Sequence, residues 1–127
     1  MNEKTVPVGG LIWITGYSGA GKTTVARIVS EELKDKELPV LFLDGDDLRS
    51  ILGEKFGHDL EDRKKLANVY SRLCKRICDN GITVVIATVA MFESVRTENR
   101  ISNLNYLEVY LDVPLDVRVN RDPKGIY

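Results

Sequence analysis

Apolar and polar positions alternate along this chain in two rhythms. Four short runs, Leu11 to Thr15, Val40 to Leu43, Ile82 to Ala87 and Tyr106 to Leu111, are apolar at nearly every position and rich in β-branched and aromatic residues. Such runs predict strands buried on both faces, the pattern of a parallel sheet covered by helices. Glu108 interrupts the fourth. Between the runs, Leu66, Val69, Tyr70, Leu73, Cys74, Ile77 and Cys78 recur at three and four residues, which predicts an amphipathic helix stopped by Asn80-Gly81. A second helix is expected from about Gly21 to Lys36, ending before Pro39, with shorter ones at Asp46 to Leu52, Phe92 to Ile101 and Pro114 to Asn120. The order β-α-β-α-β-α-β-α, with right-handed crossovers, implies an α/β fold of three layers around a doubly wound parallel sheet. No repeat, low-complexity tract or linker divides the 127 residues, so one domain is expected.

Composition narrows the function classes. With 43% hydrophobic and 29% charged residues the chain reads as an ordinary globular protein. Its 18 Lys plus Arg against 19 Asp plus Glu give a net charge of −1, so no basic excess marks a nucleic-acid or membrane surface, and any anion site must be local. The N-terminus MNEKTVPVGG lacks a signal-peptide pattern, and no apolar run reaches membrane-spanning length. The two cysteines, Cys74 and Cys78, fall on one helix face and read as small core residues of a reducing compartment, which makes a cytoplasmic location the expectation. Two thiols without a nearby histidine are too few for structural zinc.

Directly after the first predicted strand stands Gly16-Tyr17-Ser18-Gly19-Ala20-Gly21-Lys22-Thr23, followed by Thr24, which fits the G-x-x-x-x-G-K-[ST] pattern without exception. Glycines at these positions permit positive φ and let successive backbone N–H groups turn inward around a phosphate chain. The helix expected to start near Gly21 adds its N-terminal partial charge to the same spot. Lys22 can then reach β- and γ-phosphates, and the Thr23 hydroxyl is placed to ligate magnesium. A bare glycine-rich turn would not require the whole pattern, so ATP with Mg2+ is the expected ligand.

The second predicted strand ends in Leu43-Asp44-Gly45-Asp46-Asp47-Leu48-Arg49. In a sandwich of this kind the carboxyl end of that strand opens beside the γ-phosphate. One carboxylate there can hold a magnesium-bound water, and another can orient or deprotonate an attacking hydroxyl. The plainer alternative is a solvated turn in which Asp46 or Asp47 caps the next helix.

Taken together, GYSGAGKTT, LDGDDLR, Asp62-Arg63 and YLEVYLDVPLDVRVNRDPKGIY resemble adenylyl-sulfate kinase, or APS kinase, across nearly the whole chain. The last segment is the more specific signal. The resemblance implies a P-loop kinase sandwich that uses MgATP to phosphorylate the 3′-hydroxyl of adenosine 5′-phosphosulfate. By position it implies Asp44 and Asp46 at the acceptor hydroxyl, Asp46 as base, Arg49 and Arg63 on the acceptor's anionic groups, and Val89 and Lys124 against the acceptor. Planar guanidinium groups suit a phosphosulfate or pyrophosphate linkage. A homodimer is also what the resemblance implies.

Several positions depart from the family pattern. Leu66 and Asn68 stand where an asparagine and an arginine usually help hold the acceptor. His58 stands where an aromatic residue usually stacks on the base, with Phe56 near enough in sequence to replace it. Val89-Ala90-Met91 replaces the usual Ile-Ser-Pro, so Ala90 cannot do what that serine does. These changes suggest a divergent branch; APS-kinase-like proteins of surface-polysaccharide pathways include one that phosphorylates cytidine diphosphoramidate. Another small-molecule P-loop kinase, or a domain that binds ATP without transfer, would share the phosphate loop. Tyr127 follows Asp-Pro-Lys-Gly at the point where the family continues into a lid and further elements, so the chain is expected to lack these.

Overall fold

The computed structural model describes residues 8–53 and 55–121. The elements run in the expected order: β1 (Leu11–Thr15), α1 (Lys22–Asp35), β2 (Val40–Asp44), α2 (Gly45–Leu52), α3 (Leu60–Cys78), β3 (Thr83–Thr88), α4 (Glu93–Ser102), β4 (Tyr106–Tyr110) and α5 (Leu115–Arg121). All strand pairs are parallel, and the sheet order is β2-β3-β1-β4. Because β1 connects to β2 across β3, while β3 connects to β4 across β1, the chain reverses direction and deposits helices on both faces.

Alternation along the strands sorts the core into two layers. Leu11, Trp13, Val84 and Ile86 face Leu48 of α2, Leu66, Ala67, Tyr70, Cys74 and Cys78 of α3, and Val95 of α4. Ile14, Val85 and Ala87 face Ala26 of α1, with Val25, Val29 and Leu33 packed alongside. Both cysteines are free and buried, and burial raises both thiols above their ordinary range. Among the described residues no helix is long and apolar enough to cross a membrane.

Two boundaries differ from the sequence expectation. Helix α3 starts at Leu60, a turn and a half before the apolar stripe, because Asp59 caps it by accepting from Asp62 N at 2.8 Å. Its first turns are solvated, so hydrophobic spacing could not reveal them. Helix α2 is capped by Asp44, whose carboxylate accepts from Asp46 N at 2.9 Å, and not by Asp46 or Asp47. The extended backbone of the last β2 residue, φ −97° and ψ 128°, already has N-cap geometry.

Glu108 is the polar break in the fourth apolar run because its side chain ties α4 to the edge strand. It accepts from Arg96 Nη1 at 3.3 Å, Arg100 Nη2 at 3.1 Å and Tyr106 Oη at 2.9 Å. The Tyr106 hydroxyl also accepts from Asn99 Nδ2 at 3.4 Å, and the fully buried Asn99 receives the Ser71 hydroxyl from α3. Glu108→Ala should leave half-buried donors unpaired and lower stability by about 1–3 kcal/mol. A shift of the urea midpoint at constant m-value would measure it.

Candidate active site

Parallel strands bring their carboxyl ends to one edge of the sheet. The loop after β1, Asp44 at the end of β2 and the segment after β3 therefore meet, and between them opens a cleft of ≈ 1430 Å³. Residues 18–24 form one wall. Asp44, Asp46, Arg49 and Arg63 stand on another, with Val89 at the end of β3.

The β1–α1 loop has the bend its sequence calls for. Gly16, Gly19 and Gly21 have φ of 156°, 85° and 91°, and Gly21 is the N-cap from which α1 departs. Positive φ at three positions in six residues is what allows consecutive amides to line a concave ring. Lys22 is 9% exposed and its ammonium donates to Tyr17 O at 3.0 Å, so it lies folded across the mouth of the ring. Gly16 and Tyr17 are not among the residues that line the cleft. The Tyr17 ring is half exposed, with the Arg118 guanidinium 4.5 Å over it, and its carbonyl is the part that meets Lys22.

Thr23 and Asp44 come from separate elements and meet here, the Thr23 hydroxyl donating to Asp44 Oδ2 at 3.1 Å. Asp44 thus caps α2 with one oxygen and holds α1 with the other. Asp46 is exposed to the cleft from the first turn of α2. An oxygen pair from a hydroxyl and a carboxylate suits a hard divalent cation that keeps most of its own water. Among the described residues no group of three or more His, Cys, Asp or Glu side chains gathers to hold a metal by itself.

Arg49 reaches the cleft but also clasps the α2–α3 connection. Its Nη2 donates to Gly57 O at 2.8 Å and Phe56 O at 3.3 Å, and lies 3.2 Å from His58 Nδ1. His58 lines the cleft, while Phe56 packs against the core and a smaller depression behind Arg49, so Phe56 does not take the position of the family's stacking residue. Leu66 forms part of the cleft wall and Asn68 does not line it. Ala90 is held by its backbone: its carbonyl accepts from Trp13 Nε1 at 3.2 Å and Thr15 Oγ1 at 3.3 Å. Lys124 lies outside the described residues.

Gly45, Leu60, Tyr70, Met91 and Phe92, to which the sequence assigns no site role, also line the cleft. Tyr70 was hidden within the apolar stripe of its helix; the signal was a hydroxyl at a core position.

The family model described as adenylylsulphate kinase matches residues 8–127. The cytidine diphosphoramidate kinase of Campylobacter jejuni is 37% identical over 117 residues, covering 92% of this chain and 68% of that protein. The probable adenylyl-sulfate kinase of Pyrococcus abyssi is 35% identical over 119 residues, covering 94% and 68%. The structure of the Mycobacterium tuberculosis APS kinase CysC in complex with AMPPNP and APS superposes with a TM-score of 0.88 at 33% identity, over 95% of this chain and 72% of that one. With the phosphate loop, the facing carboxylates and these relatives in agreement, the chain belongs to the adenylylsulphate kinase family and is a phosphotransferase acting on a hydroxyl group.

Proposed function

We propose that this protein transfers the γ-phosphoryl group of ATP to the 3′-hydroxyl of a nucleotide-type acceptor, with adenosine 5′-phosphosulfate as the first candidate. One observation carries the proposal: a single cleft is lined on one side by residues 18–24 and on the other by Asp44, Asp46, Arg49 and Arg63. A phosphate chain seated in the ring of amides would end near two carboxylates and two guanidinium groups.

The roles follow from chemistry. Gly16 to Gly21 supply backbone donors to the phosphates, with Thr24 at the start of α1 beside them. Lys22 exchanges its bond to the neutral Tyr17 O for anionic phosphate oxygens, a contact in which both partners are charged and which is therefore stronger. Thr23 and Asp44 are the oxygen donors that would hold magnesium, which when bound neutralises charge on the transferred group. Asp46 accepts the proton of the acceptor hydroxyl, and Arg49 and Arg63 pair with its anionic groups. Val89 lines the acceptor side, and Lys124 is assigned to the acceptor by the family resemblance alone.

A second acceptor is favoured by specific residues. Leu66 makes the cleft wall apolar where an acceptor-binding amide is expected, Asn68 is turned elsewhere, and a cytidine diphosphoramidate kinase is 37% identical. A pocket that lacks those polar contacts discriminates less for the phosphosulfate. Steady-state turnover with ATP against APS, cytidine diphosphoramidate and simple nucleosides decides between them. The highest kcat/KM is expected for APS; a clear preference for the diphosphoramidate installs the second acceptor, and no turnover of any nucleotide would end the proposal.

A further inference from the structure

Helix α3 lines the cleft with Leu60, Arg63, Leu66, Ala67 and Tyr70, and beyond Arg63 in its first turn Tyr70 alone carries a polar side-chain atom. Its ring is 5% exposed and belongs to the core beside Leu66, Ala67 and Cys74. Its hydroxyl leaves that core and donates to Gly45 O at 3.3 Å. Gly45 O is the carbonyl of the peptide bond leading into Asp46.

The same peptide is crowded from the sheet side. A Cβ at Gly45 would meet Ala87 O at 2.8 Å and Thr88 Cα at 3.2 Å, so the glycine is what permits α2 to start against the end of β3. The Asp44 carboxylate holds the Asp46 amide from the third side. Burial, opposed by the Arg49 cation and reinforced by the Asp46 anion, pushes the phenol up to about 12. Tyr70 therefore keeps its proton across the neutral range and remains a donor.

We propose that Tyr70 is a positioning residue for phosphoryl transfer: its hydroxyl holds the Gly45–Asp46 peptide so that the Asp46 carboxylate faces the phosphate loop across the cleft. This rests on the kinase function proposed above. Beyond Arg63, the polar contact of the α3 wall then comes from one turn past Leu66, one of the positions at which this chain departs from the family pattern. A displaced acceptor-side carboxylate weakens transfer without weakening nucleotide binding, because Lys22 and the amide ring lie on the opposite wall.

Tyr70→Phe removes one oxygen and keeps the ring in the core. The expected result is a kcat about five- to tenfold lower, with the KM for ATP and the nucleotide-binding stoichiometry unchanged, the effect of one hydrogen bond on positioning. An unaltered kcat overturns the proposal. So does a fall in kcat matched by an equal fall in binding stoichiometry, which is the mark of simple misfolding. Amide hydrogen exchange gives a readout independent of turnover. Faster exchange at residues 45–47 in Tyr70→Phe, with α3 protection retained, supports the proposal; identical exchange overturns it. If the wild-type chain phosphorylates no nucleotide, the proposed function fails, while the exchange comparison still judges the positioning role.

Discussion

Asp46→Asn is expected to lower kcat by about 10²–10⁴-fold, the range set by loss of a general base, while ATP affinity stays within about twofold. Asp46 is exposed in the first turn of α2, and its side chain is not the cap of that helix, since Asp44 fills that position. The substitution therefore removes a carboxylate at the acceptor side while leaving the helix cap in place. A negative charge near a helix N-terminus contributes about 0.3–1 kcal/mol, so the variant should melt within a few degrees of the parent. Single-turnover transfer together with calorimetric ATP binding checks both halves. Transfer retained at close to the parental rate would remove Asp46 from the chemistry and leave another group to take the proton.

Lys22→Ala should act on the other wall. Its ammonium is nearly buried and rests on Tyr17 O at 3.0 Å, so an incoming phosphate oxygen competes with a neutral carbonyl for the same donor and wins as an anion. Losing a charge-assisted hydrogen bond costs about 1.5–3 kcal/mol, or roughly 10–100-fold in ATP affinity. The fold should tolerate the change, because Gly21 and not Lys22 is the N-cap of α1. Titration calorimetry with MgATP measures it; unchanged affinity would mean that the ring of amides is not where the phosphates lie. The two variants form a cross: one lowers binding, the other transfer, and a cleft that joins donor and acceptor requires both.

Much of the architecture was legible because it depends on local pattern. Continuous apolar runs appeared as parallel strands, and spacing of three and four residues appeared as helices whose boundaries mostly agree within one or two residues. Helix α3 was the exception, for its first turns carry Glu61, Asp62, Arg63, Lys64 and Lys65 and rest on a side-chain cap instead of buried surface. The phosphate loop was legible for a stronger reason: positive φ at Gly16, Gly19 and Gly21 is a property of the residue type itself.

Contacts between distant segments were not legible in the same way. That Asp44 caps α2 and receives the Thr23 hydroxyl depends on β2 ending beside α1, a neighbourhood set by sheet order. On paper His58 holds the stacking position and Phe56 lies near enough to replace it. In the folded chain Arg49 bonds Phe56 O and Gly57 O, Phe56 packs against the core and His58 lines the cleft. Tyr70 and Glu108 looked like an ordinary core residue and a flaw in a strand, and each acquired meaning from partners on other elements.

By itself, then, the amino-acid order determined the alternation of strands and helices, the glycine bend at residues 16–21 and the presence of acidic and basic groups able to serve a phosphate. Tertiary structure alone decided which of those groups share a cleft and which are consumed in holding it open. The division is physical: backbone preference and hydrophobic period act over a few residues, whereas a hydrogen bond between Thr23 and Asp44 or between Tyr70 and Gly45 exists only after packing has closed the distance between them.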